Sequence, residues 1–263
     1  MHYFIENHLN TVRFAPYIFF VSIVIFLGIG WLYGKYRIST SDKVVVRDSL
    51  AASIFGLSAL VLGFAFSNAY DHFDKRISLI REQADAITQV YQSSKYLNPV
   101  DQVAVRQSLK AILSDRLSVY QDINSFNSLN ENLDHLKNEL NDLNELIVLS
   151  ISRVPGKTKE LANMILRPQT EHLKVVLMSG ILNARHHPPA ILERFLFILL
   201  TISALLSGYA MAVQNEEDWF LSIIYLGLMG LTLYVIFGLE FPNELFPYEA
   251  FNADLLRAQS LMK

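Results

Sequence analysis

Small and hydroxyl-bearing residues recur through one apolar stretch at spacings of three and four: Ser49, Ser53, Gly56, Ala59, Gly63 and Ser67, leading into Asp71 and Asp74. On a helix, that spacing keeps them near a single stripe. Two kinds of chemistry use such a stripe. Small side chains let helix backbones approach closely, whereas small side chains and hydroxyls can also line a narrow ion path. The residues alone leave both open. A bulkier set, Phe55, Leu62 and Phe66, either faces lipid or forms a hydrophobic constriction that gates by dewetting. Beyond them come the charges Asp71, Asp74, Arg76 and Arg81, and arginines at a pore mouth would concentrate anions electrostatically.

Other chemistry is thin. The chain has no cysteine, which removes disulfides, thiolate metal sites and a thiol nucleophile. Its seven histidines show no His-x-x-x-His or Glu-x-x-His spacing. His186 and His187 are adjacent and so point apart on a helix, while His72, His135 and His172 read as surface or interhelical residues. No metal site is therefore expected. There is no phosphate-cradling glycine loop and no Gly-x-Ser-x-Gly elbow, so neither an enzyme nor a cofactor is expected. A net charge of −3 without a basic patch argues against nucleic acid. Asp71, Glu193, Arg194 and Glu240 lie only at the edges of apolar runs, which argues against a proton-coupled relay at mid-membrane.

The elements that must position these residues follow from hydropathy. Phe14–Gly34, Ala51–Ala69, Phe195–Val213 and Trp219–Leu239 contain no Asp, Glu, Lys or Arg. Each is long enough to cross a hydrocarbon core of ~30 Å as a helix. They bracket a polar stretch from Asp71 to Pro189. The expectation is an all-α integral membrane protein with four transmembrane helices in a two-plus-two arrangement and a helical extramembrane domain between the second and third. Its parts are an N-terminal pair in 1–70 (spans about 14–34 and 48–70), the extramembrane domain 71–189, a C-terminal pair in 190–240 (spans about 191–213 and 219–239), and a tail 241–263 that packs back on the helices. Trp31, Tyr33, Lys35 and Arg37 after the first run mark an uncleaved anchor with an interfacial flank.

From Asp48 to Gln92 there is no proline, and Ile77, Ile80, Ala84 and Ile87 continue at helical spacing beyond the apolar run. One unbroken helix of about 65–70 Å is expected there. Asn98-Pro99 starts the next helix, the stretch Asn124–Asn130 marks a turn, and Leu129, Leu133, Leu136, Leu140, Leu143 and Ile147 form a coiled-coil-like seam. Pro155-Gly156 should break that helix, Pro168 should kink or interrupt the following one, and His186–Pro189 should turn the chain back to the membrane. Ala204, Gly208 and Ala212 in the third crossing, with Gly230 and Gly238 in the fourth, read as helix packing. The basic residues divide between the two sides: Lys35, Arg37, Lys43 and Arg47 in the first linker, against Arg13, Lys75, Arg76, Arg81, Arg185 and Arg194 opposite. The expectation is a multi-pass protein of the inner (cytoplasmic) membrane, with 71–189 and both termini cytoplasmic.

Four crossings, the block Gly63-Phe64-Ala65-Phe66-Ser67, then Asp74-Lys75-Arg76 and Arg81-Glu82-Gln83-Ala84-Asp85-Ala86-Ile87, resemble the bestrophin-like bacterial membrane proteins, a family of unassigned function. The resemblance spans the whole chain and includes Leu182-Asn183-Ala184-Arg185 and the exit at Glu240 and Pro242. Two positions depart from the family pattern: Asp85 stands where Asn is usual, and Glu240-Phe241-Pro242 where an acidic–basic–proline exit is usual.

The resemblance implies the layout of bestrophins, which are pentameric anion channels with the second crossing lining the pore. It therefore implies a homo-oligomeric ion channel in a lipid bilayer, selective for inorganic anions and pentameric by analogy. Their calcium clasp is not implied, because Glu240, Glu244, Glu249 and Asp254 are scattered. The alternative is a non-conducting membrane scaffold or sensor whose helical domain binds a partner, an idea that the Leu129–Ile147 seam supports.

Overall fold

The computed structural model describes residues 9–40, 48–119, 126–185, 190–215, 218–242 and 247–262, all in helices and short connections. In chain order the helices are α1 (Leu9–Thr40), α2 (Asp48–Ser93), a 3-10 turn (Ser94–Tyr96), α3 (Pro99–Ser118), α4 (Phe126–Ser152), α5 (Gly156–Arg185), α6 (Ala190–Gln214), α7 (Trp219–Glu240), α8 (Tyr248–Phe251) and α9 (Ala253–Leu261). No strand occurs among the described residues. Four helices are long and apolar enough to span a membrane, over Pro16–Thr40, Ser49–Tyr96, Arg194–Gln214 and Trp219–Glu240. The all-helical expectation is met.

The chain divides into two compact units, one of residues 10–73 with 187–245 and the other of residues 74–186 with 246–263. Helix α2 contributes to both. It runs unbroken because nothing between Asp48 and Ser93 removes a backbone donor, and each N–H finds its carbonyl one turn back.

The first unit is built on close approach. Phe19, Ile23 and Leu27 of α1 are buried with Leu200 and Ala204 of α6 and Met229 and Leu233 of α7. Phe19 packs edge-on to Phe197 at 4.8 Å and stacks with Phe237 at 5.3 Å. Gly30 and Gly208 permit α1 and α6 to touch through their backbones. A Cβ at Gly30 would overlap the Leu205 carbonyl oxygen, and one at Gly208 the Leu27 carbonyl oxygen. One turn on, a Cβ at Gly34 would come within 2.6 Å of the Ala212 Cβ. Small residues at four-residue spacing on both helices produce this contact. The expected packing role of Ala204, Gly208 and Ala212 finds its partner face in Gly30 and Gly34, and a Cβ at Gly230 would press on Phe20.

The second unit is a bundle of α3, α4, α5 and the C-terminal part of α2. Leu133, Leu136, Leu140, Leu143 and Ile147 are all buried, so the seam on α4 serves as bundle core. Arg116 lies buried with Nε donating to Gln83 Oε1 at 2.8 Å, and Gln83 Nε2 donates to the Val176 carbonyl at 3.4 Å. The tail belongs to this unit: Tyr248 donates to the Leu117 carbonyl at 3.0 Å, and Tyr91 to that of Met262 at 3.2 Å.

Some expectations shift. Helix α5 passes through Pro168 without interruption. Proline there lacks only its own donor, and the rest of the ladder holds the helix together. Gly156, with φ +60°, marks the break after α4, in a left-handed conformation that favours glycine. Phe126–Asn130, expected in a turn, already belongs to α4, while 124–125 and His186–Pro189 lie outside the described residues.

Candidate functional site

Helix α2 is the least covered of the four membrane-length helices. Only 6% of its apolar window is buried within the chain, against 28%, 44% and 17% for α1, α6 and α7. The covered part is one face. Leu62, Ala65, Ala69 and Phe73 pack with Val235, Ile236 and Leu239 of α7. Above them, Ser58 meets Ser203 of α6 in a buried hydroxyl–hydroxyl bond of 2.5 Å. Ser58 Oγ also donates to the Ile54 carbonyl at 2.8 Å, so Ser203 is the donor to Ser58. This serine pair satisfies two hydroxyls inside an apolar contact.

At ~100° per residue, Ser49, Ser53, Gly56, Gly63, Ser67, Asp71 and Asp74 lie roughly 120–160° round the helix from that packed face. All of them are exposed, as is Ala59 on the flank. A Cβ at Gly56 or Gly63 would meet nothing within 4 Å, in contrast to Gly30 and Gly208. Among the described residues no helix packs on Gly56 or Gly63 of the stripe, and Ser53 Oγ donates to the Ser49 carbonyl at 2.8 Å.

The bulky residues divide differently from their order in sequence. Leu62 is taken up by packing with the α7 cluster, and Phe55 sits half-buried on the same side. Phe66 is 42% exposed on the flank. Leu60 and Phe64, which the sequence reading did not single out, are 55% and 66% exposed on the side of α2 away from the packed residues. The signal that could have found them is the helical wheel centred on the packed residues, which becomes available once α7's partners are known.

At the ends of the spans, Glu240 is buried with its carboxylate 3.2 Å from His72 Nδ1. Asp71 and Asp74 are exposed and Arg76 is half-buried. Arg81 reaches Asp254 of the tail at 3.4 Å. Of the four charges expected at a pore mouth, Asp71 belongs to the first unit, and Asp74, Arg76 and Arg81 to the second.

One constellation was missed entirely. His135 and Glu139, one turn apart on α4, meet Asp115 of α3, with His135 Nδ1 2.9 Å from Asp115 Oδ2. Burial, followed by the nearby Asp115 carboxylate, pushes the Glu139 carboxyl above its usual range. The His-x-x-x-Glu spacing was legible, but its third member is 20 positions away on another helix.

No protein-family profile matches the chain, and no curated protein is similar to it in sequence. Among solved structures, the chain superposes on a crystal structure of a bacterial bestrophin homologue from Klebsiella pneumoniae, a point mutant, with a TM-score of 0.63. The match covers 93% of this chain and 98% of that one, at 16% identity. The chain has the bestrophin fold. At such identity the likeness is one of architecture. The bestrophin-like resemblance read from the sequence holds at that level.

Proposed function

We propose that the chain is one subunit of a homo-oligomeric, bestrophin-like ion channel, selective for anions, with α2 lining the pore. The observation that carries this reading is the uncovered stripe. A helix of membrane length presents Ser49, Ser53, Gly56, Gly63 and Ser67 opposite its packed face, with open space at both glycines. Lipid gains little from contact with hydroxyls and glycine, whereas an axis surrounded by copies of α2 would use them as a wall. Leu60 and Phe64, exposed on the side of α2 away from α7, are the side chains for a hydrophobic constriction, with Phe66 at its flank and Phe55 and Leu62 backing it. The preference for anions rests on the likeness to bestrophins, because Asp71 and Asp74 share the stripe, Arg76 lies on the packed side of α2 and Arg81 is paired with Asp254. Five copies, an inner-membrane location and a cytoplasmic 71–189 region complete the reading by analogy with bestrophins and from the distribution of basic residues.

The rival reading as a scaffold loses its main support, because the α4 seam that would recruit a partner is buried in its own bundle. The test is reconstitution into liposomes with chloride-flux and planar-bilayer recording. A current whose reversal potential follows the chloride gradient is the expected result. Absence of conductance across voltage, pH and divalent conditions would sink the proposal. Replacing Phe64 by Ala should widen the constriction and raise conductance or open probability, while Gly63→Trp should abolish current without unfolding the subunit.

A further inference from the structure

We propose that Asp115, His135 and Glu139 form a binding site for a divalent transition-metal ion of the zinc class, in the helical bundle of the second unit. The three side chains come from α3 and α4, helices that pack directly against each other. Ile112 and Leu113 on α3, with Leu136 and Leu140 on α4, are buried beside them, so the donor groups sit on a fixed platform. One donor atom from each residue lies within 4.8 Å of the others, and His135 Nδ1 is already 2.9 Å from Asp115 Oδ2. Zinc makes bonds of ~2.0–2.2 Å to imidazole and carboxylate, so the three side chains would close in on the ion.

A second observation makes the arrangement more than a surface ion pair. Glu139 Oε2 is sealed from solvent and meets no hydrogen-bond donor among the described residues. Two carboxylates crowd together there, and Asp142 adds a further negative charge. His135 offers its Nδ1 to Asp115. The Glu139 oxygen therefore lacks a donor among the described residues, and a cation held between the three residues would be a partner for it. The donor set decides the class. Calcium and magnesium prefer oxygen cages, whereas one imidazole with two carboxylates suits zinc, with water completing a tetrahedron. The site rests on none of the observations behind the channel reading, and its test does not use conductance.

The experiment uses the full chain in detergent, stripped with chelator and titrated with zinc chloride against a competing chromogenic chelator. Wild type should bind one equivalent with saturation, and His135→Ala and Glu139→Gln should weaken that binding by about tenfold or more. Cobalt should give the intense visible absorption of a tetrahedral ion in wild type, lost in both variants. Thermal unfolding separates lost ligands from lost fold. In chelator Glu139→Gln should be at least as stable as wild type, because it relieves carboxylate crowding, and zinc should then raise Tm for wild type alone. His172→Ala, altering an exposed histidine 3.7 Å from Glu82, should leave binding unchanged. Binding that persists in His135→Ala and Glu139→Gln, no saturable binding, or equal stabilisation by calcium would each overturn the proposal.

Discussion

At the scale of single residues, Glu139 is the group whose titration the fold alters most plainly. Burial comes first among the causes, then the Asp115 carboxylate and its hydrogen bond; Asp142 pushes the same way and His135 opposes. Its folded-state affinity for a proton exceeds that of the unfolded chain, whose ordinary value is 4.5. The stability this contributes is fully present below that value and is lost as pH rises through the raised folded value. In chelator, Glu139→Gln should thus gain Tm relative to wild type as pH climbs from below 4.5 towards neutrality. Paired melting curves across that range check it, and a pH-independent difference would contradict it. The partly exposed setting keeps the effect modest. The sequence could show His135 and Glu139 on one helix face, but not that Asp115 would face them, since no local spacing encodes which helices become neighbours.

At the scale of elements, glycine carries opposite meanings on different helices. Gly30 and Gly208 are filled against opposing backbone, and any side chain there drives α1 and α6 apart. Gly30→Leu or Gly208→Leu should destabilise the membrane unit by ~1–3 kcal/mol, as overpacking does, and so lower Tm and increase proteolysis in detergent. Gly56→Ala, with nothing within 4 Å of its Cβ, should leave Tm unchanged or slightly raised. If Gly56→Ala proved as damaging as Gly208→Leu, α2 would have a packing partner on that face after all. The lengths of these elements were legible, because apolar runs and the proline-free path from Asp48 set them. Which small residues would be packed was not. Gly30, Gly34, Gly56 and Gly63 look alike in sequence, and only the pairing of α1 with α6 separates them. At Pro168 the helix is not interrupted, because a long amphipathic helix in a bundle tolerates one lost donor.

At the scale of the whole molecule, the exposed face of α2 is left for lipid or for further copies of the chain to cover. Leu50, Leu57, Leu60 and Phe64 are all exposed on this helix, mixed with hydroxyls and glycines. In the channel proposed above, a closed ring of identical subunits would answer both needs: neighbouring copies would bury the apolar flanks while the small stripe turned to a common axis. The absence of native cysteine makes this directly measurable, since any introduced thiol is the only one. Gly63→Cys and Ser67→Cys should react with a charged, water-soluble thiol reagent in reconstituted protein and lose current as they do. Leu228→Cys, on the 61%-exposed outer surface of α7, should stay inert in lipid. Equal protection of all three positions would put the stripe against lipid or in a dry interface. Native mass measurement on the same preparation gives the copy number. The number proposed above is five, and it depends on the angle at which neighbouring subunits meet, which hydropathy and spacing along one chain do not encode.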